Sequence, residues 1–156
     1  IKAGETMKIT ITPFKLSINT DAIFSREANI RLGREVFVAS YRSRMRQGQG
    51  VDEAGNLAPH KPLKIRRGGK NQPGVPLYRT GRMANAFRVN EALTTDRELV
   101  LDFPESERAK AAAHQFGSKN VPARPHVGIT REDMQRAARF LEEHLQRNLD
   151  RIIDIS

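Results

Sequence analysis

The last segment of the chain carries the clearest periodicity in the sequence. Thr130 and Asp133 have the spacing of a helix-capping box, with Asp in place of the usual Glu or Gln. Behind them, apolar side chains recur at helical intervals: Met134, Ala137, Ala138, Leu141, Leu145, Leu149 and Ile152. This pattern predicts an amphipathic helix that starts after Thr130 and must bury one face against the rest of the protein.

A second helix is predicted in the first third of the chain. Asp21 or Ser25 can cap it, and it runs to about Gln47, where Gly48 ends it. Apolar side chains at helical spacing lie opposite three basic ones; the apolar set is Ile23, Ile30, Val36, Phe37, Tyr41 and Met45, and the basic set is Arg26, Arg34 and Arg42. This spacing predicts a helix with an apolar face and an opposite basic face.

Two segments alternate apolar and polar residues, as strands do. Residues 7–18 show this alternation, but Pro13 cannot donate to a ladder, so they predict an edge strand or two short pieces. Residues 97–103 place Leu99, Leu101 and Phe103 on one face of a second strand, which Pro104 ends.

The Ala-rich residues 105–116 then fit a short helix or compact turn. Residues 121–125 must be extended because two prolines restrict them.

The segment from Gln47 to Arg79 has no usable period. It holds six of the 11 glycines and four of the eight prolines of the chain. A structureless segment of this length is uncommon inside a compact domain and is usually functional or disordered. We therefore expect a single domain spanning residues 1–156, with residues 47–79 as a long, mobile, basic loop.

The net charge of +9 is concentrated in the first half of the chain. Residues 1–80 hold 15 Lys and Arg against 6 Asp and Glu, whereas residues 81–156 hold 12 of each. Such asymmetry favours an anionic partner, either nucleic acid or an acidic protein surface. One hypothesis is therefore a sequence-nonspecific DNA-binding protein that uses residues 42–70, with contacts from Lys61, Lys64, Arg66, Arg67 and Lys70.

The sequence offers little support for catalysis, metal binding or membrane insertion. There are no cysteines, the four histidines lack the short pairings of zinc sites, and no nucleotide-binding or nucleophile motif is present. No stretch approaches the ~18 apolar residues that a membrane span needs. We expect a non-enzymatic protein without a cofactor and without a membrane partner.

Two polar residues remain open to more than one interpretation. His114 is a general base beside Glu105 or Glu107 in one reading, and a histidine bonded to backbone at the Gly117 turn in the other. Arg124 lies between two prolines, and this rigid setting suits either a structural ion pair or an interface contact.

Three segments, in order, resemble one protein family. Residues 79–87, Arg-Thr-Gly-Arg-Met-Ala-Asn-Ala-Phe, resemble its TG-x-L-x-x-S segment. Residues 112–117, Ala-Ala-His-Gln-Phe-Gly, resemble its A-x-x-HQFG segment, and residues 121–130 resemble its IPARPFLGLS segment. The family is that of the Mu-like phage virion morphogenesis, or tail completion, proteins. The resemblance covers residues 25–149, with His126 and Val127 where the family commonly has Phe and Leu.

The resemblance implies an α+β fold in which a small, mostly antiparallel sheet packs against two long helices. It implies a structural protein of the virion tail or neck, present in the host cytoplasm during assembly. Its partners would be further copies in a ring-like homo-oligomer, a hexamer being one option, with phage neck, tail-terminator or tail-tube proteins and DNA in the channel. We assign the assembly contacts to the two motif segments, at His114, Gln115, Phe116, Gly117, Pro122, Ala123, Arg124 and Pro125.

Overall fold

The structure is a computed structural model that describes residues 9–11, 15–20, 24–60, 76–78, 80–119 and 121–155. In chain order the strands are β1 Ile9–Ile11, β2 Lys15–Asn19, β3 Gln49–Val51, β4 Leu57–Pro59, β5 Arg88–Val89 and β6 Glu98–Asp102. The helices are α1 Arg26–Leu32, α2 Ala39–Arg46, α3 Arg82–Ala86, α4 Glu105–Phe116 and α5 Arg131–Ile155, and a π-helical turn at Gly33–Val38 joins α1 to α2. The predicted α+β class is confirmed.

The main sheet has four strands in the order β1-β2-β6-β5, and every neighbouring pair is antiparallel. The strand predicted over residues 7–18 is two short strands that pair with each other, one on either side of Pro13. In the centre of the sheet Leu16 pairs with Leu101 and Ile18 with Leu99, and all four side chains are buried. The helices cover this apolar face and form one core with it.

The run from α1 to α2 is the predicted first helix. The Ser25 hydroxyl caps it by accepting from the backbone N–H of Ala28 at 3.1 Å, and Gly48 follows its end with φ of 68°. Within the π-helical turn, a Cβ on Gly33 would lie 2.5 Å from Cγ2 of Val89. A glycine at this position therefore lets the helix lie directly on strand β5.

The interpretation of residues 47–79 as one loop is wrong for its first part. β3 and β4 form a hairpin, with Val51 paired to Leu57. The carboxylate of Asp52 accepts from the backbone N–H groups of Ala54 and Asn56 at 2.9 and 2.8 Å, which closes the turn. Strands of three residues are too short to show a period, so pattern analysis misses them. Residues 61–75 and 79 lie outside the described residues.

The capping box of α5 forms as predicted. The N–H of Thr130 donates to Oδ2 of Asp133, and the N–H of Asp133 donates to Oγ1 of Thr130, both at 3.0 Å. The same Asp133 oxygen lies 3.0 Å from Nη1 of Arg44, in an ion pair that is buried on both sides. Arg44 also donates to the carbonyl oxygen of Gly128, so one guanidinium joins α2 to the start of α5.

The apolar stripe of α5 is only partly covered. In the first half of the helix Ala137 and Phe140 are buried in the core, and the Phe140 ring lies 5.7 Å from that of Phe24. In the second half Leu145 and Leu149 are exposed. None of the helices in the described part of the chain is long and apolar enough to cross a membrane.

Candidate assembly interface

The two motif segments that carry the family resemblance lie side by side. The carbonyl oxygen of His114 accepts from the backbone N–H of Arg124 at 2.7 Å. The Gln115 side chain extends this pairing, because its Oε1 accepts from the N–H groups of His126 and Val127 at 2.8 Å. Its Nε2 donates to the carbonyl oxygen of Val127 at 3.3 Å. The two segments therefore form one structural unit, which we call the motif junction (residues 114–128).

Gly117 makes the turn between the two segments. Its φ is 78°, a conformation that residues with a side chain rarely adopt, and its N–H donates to the Ala113 carbonyl oxygen at the end of α4. A Cβ at this position would lie 3.0 Å from the backbone nitrogen of Ala123. Both the backbone angle and the available space therefore favour glycine at this position.

His126 is the most deeply buried residue of the motif junction. Its Nδ1 lies 2.8 Å from the Tyr41 hydroxyl and its Nε2 lies 2.9 Å from the carbonyl oxygen of Ala111. Its ring also contacts that of Phe103, with centroids 6.0 Å apart. Burial is the main cause that lowers the pKa of His126 to about 4, so the ring is neutral and can accept from Tyr41 while donating to Ala111. The position that is commonly Phe in the resembled family is thus an imidazole packed among aromatic rings.

Arg124 points into the protein, since only 6% of it is exposed. It is one of the charges that lower the pKa values of His60 and His114, after the larger effect of burial, and the pKa of His60 falls to about 4. Nε2 of His60 and Nδ1 of His114 are buried and lack a hydrogen-bond partner in the described part of the chain. The burial of Arg124 favours its structural interpretation over a direct interface contact.

The contacts around His114 bear on both interpretations of this residue, as a general base and as a histidine bonded to backbone. The backbone carbonyl of His114 accepts the hydrogen bond across the turn, whereas the buried Nδ1 of its ring has no partner within the described residues. Glu107 pairs with Arg82 at 2.8 Å, and Glu105 is exposed at the start of α4. No described contact joins either glutamate to the His114 ring.

An apolar groove opens beside the motif junction, with a volume of about 770 Å³. The hairpin turn forms one wall and the start of α5 the other. Its apolar lining residues are Val51, Ala54, Phe116, Pro125, Val127, Ile129 and Met134, and the charged residues around them are Asp52, Glu53 and Arg131. Sequence reasoning missed the hairpin wall, for which the only signal is the Asp-x-x-Gly-Asn turn at residues 52–56.

Phe116 lies at this groove with 55% of its surface exposed. A large aromatic side chain left in water beside further apolar surface is the kind of feature that a partner buries. The other residues assigned to assembly differ in how far they are exposed. Pro125 is exposed, Gln115, Pro122 and Ala123 are half-buried, and Arg124 is buried. The DNA contacts assigned to Lys61, Lys64, Arg66, Arg67 and Lys70 lie outside the described residues.

Comparison with known proteins identifies no relative: no family model, curated protein or solved structure matches the chain. Among the described residues, no group of three His, Cys, Asp or Glu side chains is placed to hold a metal ion.

Proposed function

We propose that this chain is a structural virion assembly protein of a tailed phage or prophage. It completes the tail, or the joint between tail and head, through contacts with copies of itself and with neck, tail-terminator or tail-tube proteins. The motif junction and the apolar groove form the contact surface.

The observation that carries this proposal is the joining of the two motifs into one unit that leaves Phe116 exposed. Arg124 and His126 hold the inner side of the unit in the core, while Phe116 and Pro125 face outward. A segment needed only for folding has no reason to leave an aromatic ring in water next to an apolar groove. Burial of that ring by another protein explains both features.

The test compares two exposed apolar side chains. Leu93, 47% exposed in the turn between β5 and β6, is the matched control for Phe116, 55% exposed. We expect the full chain to self-associate in sedimentation velocity as its concentration rises. Phe116→Ser should weaken this association at least tenfold, which corresponds to ~1.4 kcal/mol.

Leu93→Ser should leave the association unchanged, because that side chain lies away from the groove. Equal weakening by both substitutions, or no effect of Phe116→Ser, would remove the motif junction from the proposal. Circular dichroism of both variants shows whether each one remains folded.

A further inference from the structure

A second surface of the protein is dominated by arginine. It runs from the α1–α2 helix across β5 to the start of α4, and we call it the arginine face. Its six members are Arg34, Arg42, Arg46, Arg82, Arg88 and Arg108. The planar guanidinium of arginine can donate two parallel hydrogen bonds to one phosphate.

Two carboxylates of this surface, Asp102 and Glu107, lie beneath the arginines, whereas Glu91 is exposed and pairs with Arg34. Asp102 and Glu107 are buried, with 2% and 5% of each exposed, whereas the side chains of the arginines they pair with are 41 to 74% exposed. Asp102 is shared by Arg88 and Arg108 at 3.8 and 3.7 Å. These two negative charges therefore hold Arg82, Arg88 and Arg108 from inside, and the positive charge of these three side chains faces outward.

A cleft of about 620 Å³ lies in the middle of the arginine face. Arg34, Arg42 and Arg88 line it together with Val38, Val89, Asn90 and Glu91. Glu91 pairs with Arg34 and is the single exposed acid among these lining residues. Arg42 is fixed through Nη2, which donates to the carbonyl oxygens of Asn85 and Phe87 at 3.0 and 3.3 Å. Its buried Nε has no acceptor within the described residues.

We propose that the arginine face binds the phosphate backbone of duplex DNA without reading its sequence. Arg34 and Arg42, eight residues apart on the run from α1 to α2, line the same cleft as Arg88, so three guanidinium groups converge on one site. Contacts to phosphate position a protein on DNA but carry no sequence information. This inference goes beyond the assembly role and does not depend on it.

The lining of the cleft favours duplex DNA over the other anionic partners. No aromatic side chain lines it among the described residues, so single-stranded bases have nothing to stack on. Its two valines are buried, and the exposed large apolar side chains of the described chain lie elsewhere. The cleft therefore lacks the exposed aromatic and apolar anchors that commonly form the centre of a protein interface.

The arginine face overlaps only in part with residues 42–70, the segment in which the sequence alone predicts DNA contacts. Of the basic residues in the segment 42–70 that the structure describes, Arg42 and Arg46 belong to the arginine face. Arg44 does not, because it is buried in its ion pair with Asp133. Helix geometry, rather than the run of charges along the chain, selects which arginines face outward together.

The test measures binding of the full chain to a labelled duplex of about 20 base pairs by fluorescence anisotropy. The face variant is Arg34→Gln with Arg46→Gln and Arg88→Gln. The control variant is Arg136→Gln with Arg139→Gln and Arg147→Gln, which removes the same charge from exposed positions on α5. Titration from ~50 to ~200 mM salt gives the number of phosphate contacts from the slope of the logarithmic plot.

We expect the face variant to bind at least tenfold more weakly and to have a salt slope smaller by about three, since each lost phosphate contact removes about one. The control variant should change affinity no more than about twofold. If the face variant unfolds, the three single substitutions carry the same test, each with a slope smaller by about one.

Three results would overturn the proposal. If the face and control variants lose DNA affinity equally, the attraction depends on net charge alone. If the unaltered chain shows no binding at ~50 mM salt, the surface is not a DNA site. A polyglutamate peptide that binds as tightly as DNA, and loses binding in the same variant, would make the surface a site for an acidic protein.

Discussion

The two sides of the motif junction differ in what covers them. On the inner side, Arg124 and His126 are buried: the Arg124 backbone pairs with His114, and the His126 ring binds Tyr41 and Ala111. On the outer side, Phe116 and Pro125 are exposed at an apolar groove. One continuous stretch of sequence thus supplies a folding element on one side and unfilled apolar surface on the other. Substitutions on the two sides should therefore separate stability from association.

The largest effect on stability is expected from Asp133→Ala in α5, whose partner Arg44 also binds the Gly128 carbonyl oxygen at the end of the motif junction. This change leaves the Arg44 guanidinium buried without its counterion and removes the capping box of α5. Breaking a buried ion pair on one side costs about 3–5 kcal/mol of folding free energy. Urea unfolding measures this loss, and Glu132→Ala, at the exposed neighbouring position, should cause little change. A small loss from Asp133→Ala would show that the pair does not hold the two long helices together.

Acid should also lower the folding stability, because His126 on the inner side of the motif junction is buried in its neutral form. The unfolded chain protonates His126 with a pKa near 6.5, whereas burial lowers the folded-state pKa to about 4. The unfolded state therefore binds more protons between these values, so stability is lost as the pH falls from about 6.5 to 4, by roughly 3 kcal/mol from this group. His60 and His114 act in the same direction.

The measurement is urea unfolding at several pH values within that window. His126→Phe should flatten the acid limb, although it leaves the Tyr41 hydroxyl without its present partner. An unchanged pH dependence in this variant would mean that the buried imidazole does not control acid stability.

At the turn, Gly117→Ala is expected to cost more than the same change at Gly55. Both glycines have positive φ, 78° and 80°, so each alanine carries backbone strain of about 1–3 kcal/mol, and the ψ of 166° at Gly117 is one that glycine alone readily adopts. A Cβ on Gly117 meets Ala123 N at 3.0 Å, whereas the nearest atom at Gly55 is 3.5 Å away. Thermal unfolding of the two variants should show the larger loss at Gly117. Equal losses would mean that the junction adjusts to the extra methyl group.

Arg124→Ala is expected to lower stability by about 1–3 kcal/mol through lost packing, and to leave self-association intact in the molecules that remain folded. The two readouts are urea unfolding and sedimentation velocity of the same preparation. Weakened association with unchanged stability would restore the interface interpretation of Arg124.

Much of this fold follows from local chemistry that the sequence shows directly. The Ser25 cap, the Thr130–Asp133 box, the interruption at Pro13 and the turn at Gly117 each depend on a residue type with a defined backbone requirement. The family resemblance supplied the arrangement of sheet and helices.

Other features could not be predicted because they depend on tertiary contacts. The β3–β4 hairpin packs closely against the motif junction, since a Cβ on Gly50 would lie 1.9 Å from the Pro125 carbonyl oxygen. The sequence of a three-residue strand does not indicate such a contact. Pro122 and Pro125 restrict the backbone around Arg124, but they do not determine whether its side chain lies inside the protein or on the surface. The second half of α5 shows the same limit, since its periodicity predicts an apolar face but not that Leu145 and Leu149 stay exposed.

The central claim is that the outer side of the motif junction serves assembly and not folding. For the proposed assembly role, the most direct measurement is the yield of complete particles from a tailed phage or prophage whose copy of this protein carries Phe116→Ser, with thermal unfolding of the purified variant alongside. We predict unchanged stability and a loss of complete, infectious particles, while Leu93→Ser gives normal yield. A normal yield of particles with Phe116→Ser would contradict the claim.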